Sequence, residues 1–574
     1  MRINILKSKN HEFVYLIKDF YSNGKRSTKI IEKLGHMEQL MEQMQLSRDE
    51  VIQWAKNYAI EKTNIEKCEQ AKISLSFSPS RIIDQNTNRL FHCGYLFLQS
   101  LYYQMKMDNV FRNIRNRHKF EFDLDAIFSD LIYARVIEPA SKRSSYDCAM
   151  SFLEPPKYSI HDLYRSLSVI AEESDYIQSE VYKNSHFIFP RNGAILYYDC
   201  TNYYFEIEQE QDMKKYGKSK EHRPNPIVQM GLFMDGNGIP LAFDVFDGNK
   251  NEQQSLKPLE QKIIRDFNLS KFIICTDAGL GSENNRLFNS IEGRAFIITQ
   301  SLKKLKKEDM EWALANEGWK RVSDNKTVNF DEIELDNNYM KQLYYKEEPY
   351  TTKKLHQRLI VTYSPKYAQY QKKVRQEQIE RAQQMIKNKK SRKTKRNPND
   401  PARFVRVTSV TEHGEVAEQK YYNLDNEQIE KEARFDGFYA VCTDLLDDSI
   451  EDILKVSEGR WEIEESFRIM KTEFKSRPVY VQRADHIKAH FLICYMSLLI
   501  YRLLEKMLND KYTTSQIIKA LREMKVLDTE YGYLPAYKRT ELTDKLHETF
   551  GFRTDYEIIT KKHMRNIIKN TKKS

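Results

Sequence analysis

Hydrophobic and polar positions change their period several times along the chain. Residues 12–17 (His-Glu-Phe-Val-Tyr-Leu) and 26–34 (Arg-Ser-Thr-Lys-Ile-Ile-Glu-Lys-Leu) have strand-type patterning around Asn23-Gly24. That pattern predicts a hairpin. Residues 36–66 read as charged helix, and 91–188 repeat a helical spacing broken at Glu138-Pro139 and Pro155-Pro156. Residues 1–188 therefore read as an N-terminal region that is largely helical after its hairpin.

From residue 193 the texture becomes mixed. Residues 193–207 predict a strand, followed by a polar loop through Asn225. Ile227–Met234 and Ile239–Phe246 predict two more strands joined by the turn Asp235-Gly236-Asn237-Gly238. Glu252–Phe267 has helical spacing, Lys271–Thr276 is a short apolar strand, Ser282–Ile291 a helix and Ala295–Thr299 a strand. Three strands able to form hairpins, then strands alternating with helices, predict an α/β domain with a mixed five-stranded sheet. Residues 301–445 mix short strands with a helical run. Asp448–Lys475 and Asp485–Leu508 predict two long helices, the second strongly apolar. Its most apolar run, Phe491–Tyr501, is too short to cross a bilayer, so a buried helix and no membrane partner are expected.

The length of 574 residues allows roughly three or four domains. The formal net charge is +10, and its distribution is uneven. Between Lys366 and Arg406 fourteen Lys/Arg stand against three acids, so the rest of the chain is close to neutral. That stretch suits a polyanion through sequence-blind, salt-sensitive phosphate contacts, although a solvated helix has the same composition. A second basic cluster runs from Lys561 to Lys573. The seven cysteines lack zinc or redox spacing, which argues against a disulfide framework and for a reducing cytoplasm.

Three carboxylates carry the candidate chemistry. Asp199 ends an apolar strand in Tyr-Tyr-Asp-Cys-Thr, and Asp277 follows another in Ile-Ile-Cys-Thr-Asp-Ala-Gly. Acids at such strand ends face the crevice where α/β sheets bind ligands, though either could simply cap a turn. On a continuous 448–475 helix, Val456, Ile463, Phe467, Met470 and Phe474 fall within ~40° of one line at about 100° per residue. Arg460, Glu464 and Lys471 lie together on a flank roughly 40–80° from Val456, and Glu465 lies about 180° away. Glu464 is therefore the acid expected to reach a site beside the sheet. The plainer account of Arg460 and Glu464 is an i, i+4 pair. Three hard carboxylates suit Mg²⁺ and phosphoryl transfer, and two such ions can serve the attacking and leaving oxygens. His486 and His490 lack the Glu of a zinc-protease helix.

These residues resemble the acidic triad of DDE transposases of bacterial insertion sequences, which have a ribonuclease-H-like core. Arg460, Glu464 and Lys471 match the spacing of the subgroup with a Tyr-Arg-Glu-Lys signature, and Ser457 stands at the Tyr position. Tyr216–Pro224, Gly238–Leu241, Phe246–Asn249 and Arg460–Arg468 are similar to the same subgroup. The resemblance implies an N-terminal DNA-binding region (1–188), a catalytic core in two parts (189–300 and 446–510), an insertion domain with a basic helix (301–445) and a basic helical tail (511–574). It implies two Mg²⁺, replaceable by Mn²⁺, on Asp199, Asp277 and Glu464. Arg460 and Lys471 would contact DNA phosphates, and Lys218, Lys220, His222 and Arg223 could join them from their loop. The implied partners are transposon-end DNA, target DNA and a second copy in a homodimeric synaptic complex, acting in the bacterial cytoplasm at the nucleoid. A nuclease that does not join strands, an inactive DNA-binding relative and a metal-free carboxylate-pair glycosidase remain open alternatives.

Overall fold

The computed structural model describes residues 1–8, 11–22, 25–70, 73, 78–335, 338–352, 354–388, 399–410 and 419–573. The chain divides into two compact units, Met1–Thr87 and Asn88–Ser574.

In the first unit β1 (Arg2–Ser8), β2 (His11–Ser22) and β3 (Lys25–His36) form an antiparallel sheet in that order. Ser22 faces Lys25 in the β2/β3 ladder, so the expected hairpin is present. Its turn, Asn23-Gly24, lies outside the described residues. Helices α1 (Met37–Met44) and α2 (Arg48–Gln70) follow, and Val14, Met37, Leu40, Val51 and Ala55 form a small core.

The second unit opens with β4 (Leu90–His92) and six helices: α3 (Tyr95–Gln104), α4 (Met107–Arg117), α5 (Leu124–Ile137), α6 (Lys142–Ala149), α7 (Ile160–Glu172) and α8 (Ser174–Ser185). Serine or aspartate caps start three of them, with Asp123, Ser141 and Ser159 accepting from backbone amides. Next come β5 (Ile195–Tyr204), β6 (Ile227–Asp235), β7 (Pro240–Asp247), α9 (Gln253–Phe267), β8 (Ile273–Thr276), α10 (Glu283–Phe288) and β9 (Ala295–Thr299). This is the order of elements that the hydrophobic pattern predicts.

The following segment departs from expectation. It contains α11 (Lys307–Leu314), β10 (Lys320–Arg321), β11 (Tyr344–Pro349), β12 (Arg358–Tyr363), α12 (Pro365–Lys387), β13 (Val405–Val410), β14 (Gln419–Leu424), α13 (Asn426–Ala433) and β15 (Phe438–Thr443). β15 pairs with β9, β12 with β15 and β11 with β12, so among the described residues the sheet has nine strands rather than five, in the order β10-β11-β12-β15-β9-β8-β5-β6-β7. Residues 301–445 are thus not a self-contained insertion. Their apolar strands satisfy the open edge that β9 would otherwise present. Among the described residues, β13 and β14 form a separate ribbon. The central order, β7-β6-β5 antiparallel and then β5-β8-β9 parallel, is consistent with the ribonuclease-H-like core that the resemblance implies.

The last elements are α14 (Ile450–Glu458), α15 (Trp461–Thr472), α16 (Ala484–Met507), α17 (Thr514–Glu523), β16 (Lys525–Asp528), β17 (Gly532–Pro535), α18 (Glu541–Phe550), β18 (Ile559–Thr560) and α19 (Lys561–Thr571). Two further boundaries change. Residues 88–188 share one apolar core with α15 and α16, so 1–188 is not one region. The C-terminal segment is not an all-helical tail, because β18, β17 and β16 join β4 in a four-stranded sheet. Pairing across more than four hundred residues leaves no trace in local periodicity. Helix α16 is long and apolar enough to cross a membrane, but 94% of its apolar window is buried within the fold, which makes it a core helix.

The sheet separates two cores. Leu196, Tyr198, Cys200 and Ile274 face one side with Leu256, Leu259 and Ile263 of α9. Tyr197, Tyr203, Cys275 and Ile297 face the other, with Ile463, Phe467 and Met470 of α15. This alternation follows from the two-residue period of a strand, and it decides where the acids point.

Candidate active site

Asp199 shares its strand face with Tyr197, Thr201 and Tyr203, so it points toward α15. On the parallel neighbour, Ile195 pairs with Ile273 and Tyr197 with Cys275. Carrying that register two residues on sets Asp199 beside Asp277, which lies just past the end of β8. Both acids therefore stand at one edge of the parallel pair. Asp199 Oδ1 accepts from the Cys200 amide at 2.7 Å. Asp277 Oδ1 accepts from the Leu280 amide at 3.1 Å, so it also closes the turn after β8. That bond engages only one of its oxygens.

Burial pushes the Asp199 carboxyl up to about 6, with Lys220 and Arg460 opposing the shift and Asp277 adding to it. Lys220 donates to the Cys200 carbonyl and stands 3.5 Å from Glu252. Burial works against its charge, but Asp199, Glu252, Cys200 and Asp277 together raise its pKa. Lys471 of α15 donates to Thr201 Oγ1 at 2.5 Å. Burial lowers it to about 8; Lys220 lowers it too, and Asp199 opposes. Arg460 bonds Glu464 at 3.0 Å. Burial opposes its charge, while Tyr439, Glu464, Cys275 and Asp199 raise its pKa.

The helix bearing Glu464 differs from the expected single 448–475 element. It breaks at Gly459-Arg460, where Arg460, Glu462 and Ile463 amides bond carbonyls three residues back. These tighter turns change the angular phase, so a count at about 100° per residue does not carry across the break. As a result Glu464 has the more exposed side chain, 58% against 24% for Glu465. Glu465 is the ion-pair partner of Arg468 and is influenced by Arg502 of α16. The expectation that Glu465, about 180° from Val456, lies on the solvent side is corrected accordingly. What ties Glu464 to the acids is its pairing with Arg460, which lies in the field of Asp199. Lys471, seven residues on, anchors the same face of α15 beside Asp199.

Glycine is required at 459 by contact rather than by backbone freedom. A Cβ there would lie 2.2 Å from Tyr197 Oη and 2.8 Å from its Cζ. Tyr197 is buried beneath the junction. Gly459→Ala should therefore displace α15 and cost about 1–3 kcal/mol. Thermal unfolding of Gly459→Ala, alone and with Tyr197→Phe, checks this: the double variant should recover part of the loss. Three buried or half-buried arginines hold α15 in place. Arg502 donates to Ser466 Oγ at 2.9 Å and to the Glu462 carbonyl at 3.1 Å. Arg522 donates to the Glu473 carbonyl at 2.8 Å and Arg135 to that of Phe474 at 3.2 Å.

The loop after β5 is partly engaged. Asn202 donates to the Lys218 carbonyl at 3.1 Å and accepts from the Lys220 amide at 3.3 Å, which directs Lys220 to the acids. Arg223 lies 4.2 Å over the Tyr204 ring, and His222 has φ +56°. No described contact joins Lys218, His222 or Arg223 to the acids. Of the basic stretch, Arg375 is tied to Asp436 and Arg403 to Glu432, so neither is free for a phosphate. Residues 389–398, its densest part, lie outside the described residues. Sequence reasoning passed over Thr201, Asn202, Glu252 and Gly459. Thr201 was accessible to it, being two residues beyond Asp199 on the same strand face.

The donor set fits a divalent cation. Asp277 adds to the cost of ionising Asp199, and a hard cation beside them relieves it. Cys200, next to Asp199 on the strand, faces the opposite core.

A sequence model of the transposase DDE domain matches residues 204–500, just over half of the chain. The chain belongs to this family. It is therefore an enzyme of DNA cleavage and strand transfer, of a family that depends on divalent metal ions. The matched region includes Asp277, Arg460, Glu464 and Lys471 and begins just after Asp199. Among solved structures, the transposase is similar to a cryo-EM structure of the piggyBac transposase synaptic complex with hairpin DNA. The two share 10% identity with a TM-score of 0.34, over 83% of this chain and 84% of that chain. So distant a likeness supports no further statement. No curated protein matches.

Proposed function

We propose that this transposase belongs to a bacterial insertion sequence, in the subgroup with the Tyr-Arg-Glu-Lys signature. It binds the element's terminal inverted repeats, cuts there and joins the freed ends to target DNA. Asp199, Asp277 and Glu464 hold two Mg²⁺, with Mn²⁺ able to substitute. The observation that carries this reading is the in-register placement of Asp199 and Asp277 on the face covered by the helix with Arg460, Glu464 and Lys471.

Bound divalent ions would supply Lewis-acid stabilisation of charge on the reacting phosphate oxygens. The chain's own residues do the rest. Asp199 and Asp277 fix one side of the site on a rigid sheet, and Glu464 closes it from α15. Arg460 and Lys471 place cations where a DNA phosphate meets the acids, orienting it and offsetting its charge. Lys220 adds a third cation from the loop side, with Lys218, His222 and Arg223 available to the backbone further out. In the first reaction the oxygen of water bonds to phosphorus, and the 3′-oxygen leaves as a free hydroxyl. In the second that hydroxyl bonds to a target phosphorus, displacing a target 3′-oxygen and conserving the number of phosphodiester bonds. The enzyme acts as a homodimer that pairs two ends, in the bacterial cytoplasm at the nucleoid.

The test uses DNA carrying the repeats that flank the reading frame. With Mg²⁺ the purified chain should cut at the repeat and form a joined product with target DNA; chelation with EDTA should abolish both and leave end binding. Cutting without any joined product would favour a nuclease of the same fold.

A further inference from the structure

The catalytic reading leaves unused a group of donors in the first unit. His11 opens β2, His36 closes β3, and Glu38 lies in the first turn of α1. Phe13 is the cross-strand partner of His36, and His11 shares the face of Phe13 two residues away. The two imidazole rings meet edge to face at 4.5 Å, and His36 meets Phe13 at the same distance. One ligand atom from each of His11, His36 and Glu38 lies within 4.8 Å of the other two.

Ordinary packing explains part of this. Two imidazoles beside a phenyl ring form an acceptable aromatic cluster. Glu38 on its own is a first-turn acid that favours the helix dipole. Neither account deals with His36 Nδ1, which is shielded from solvent and has no hydrogen-bond partner. His36 makes no cap bond to α1 either. An unpartnered buried nitrogen is costly and calls for a ligand. A second imidazole and a carboxylate converge on the same His36 ring.

We propose that His11, His36 and Glu38 form a binding site for a borderline transition-metal ion of the zinc class, with a water completing its coordination. Two imidazole nitrogens and one carboxylate are a three-ligand set of the type zinc accepts, whereas Mg²⁺ prefers oxygen donors throughout. The ion would join the start of β2, the end of β3 and the first turn of α1. It would lock the helix onto the hairpin without entering the chemistry at Asp199.

The experiment uses the full chain carrying Asp199→Asn and Asp277→Asn, so that the acidic site does not compete. Titration with Zn²⁺ by calorimetry should give about one equivalent of binding, and Co²⁺ should give the visible absorption of a nitrogen-ligated low-coordinate ion. His11→Ala, whose side chain is exposed, and Glu38→Gln should each weaken Zn²⁺ binding by about tenfold or more. His36→Ala should abolish the Co²⁺ signal; circular dichroism confirms that each variant is folded. No Zn²⁺ uptake by the parent, or uptake unchanged in folded His11→Ala and Glu38→Gln, would overturn the site. Neither result bears on the proposed transposition chemistry, which rests on other residues.

Discussion

Asp199→Asn should lower end cleavage by at least about 10³-fold, equivalent to about 4 kcal/mol of barrier, while end binding stays within about threefold of the parent. The carboxylate is the one acid seated inside the central strand, on the face toward α15, and the amide that replaces it keeps the shape but not the charge. Binding to DNA draws on cations spread over the surface, which the change does not touch. The same substitution has an opposite effect on stability in chelator. Folding raises the Asp199 pKa to about 6 from an ordinary value near 4, so the folded state holds this proton more tightly than the unfolded chain. Stability of the parent therefore falls as pH rises from about 4 to about 6, and the Asn variant lacks that loss. Gel-based cleavage, end binding and metal-free unfolding on the same preparation separate the outcomes. A folded Asp199→Asn protein that still cuts at the parent's rate would remove Asp199 from the site.

Glu464→Gln and Glu465→Gln should divide sharply. The first removes the carboxylate that pairs with Arg460, the arginine in the field of Asp199, and should reduce both cleavage and joining by about 10²-fold or more. The second disrupts an ion pair with the exposed Arg468, worth roughly 0.2–1 kcal/mol, and should leave activity within about threefold. Each measurement is made at saturating end DNA, so that loss of affinity does not pass for loss of chemistry. The reverse pattern, an inert Glu465→Gln beside an active Glu464→Gln, would assign the third ligand to the neighbouring residue. Exposure of Glu464 is no argument against it, since a group that must meet DNA has to be open in the free protein.

Asp199, Asp277 and the Arg460–Glu464–Lys471 spacing were legible along the chain, because each sits in a local pattern: an acid at the end of an apolar strand, or charged residues at helical intervals. Such patterns rest on interactions among near neighbours, and so do the hairpin, β5 to β9 and the apolar helix α16. Position in space was another matter. The phase of Glu464 depended on a break at Gly459, where the backbone packs against the Tyr197 hydroxyl, more than two hundred residues earlier. The aim of Lys220 depended on Asn202, and that of Lys471 on Thr201. The sheet grew from five strands to nine because β15 and β12 pair at an edge that no short window reveals. The C-terminal strands likewise found β4 near the other end of the second unit. Local pattern was enough for most elements, the candidate acids and the charge. Which acids lie together, which cations face them and where one domain ends came from the fold, because those choices follow from contacts between residues far apart in the chain.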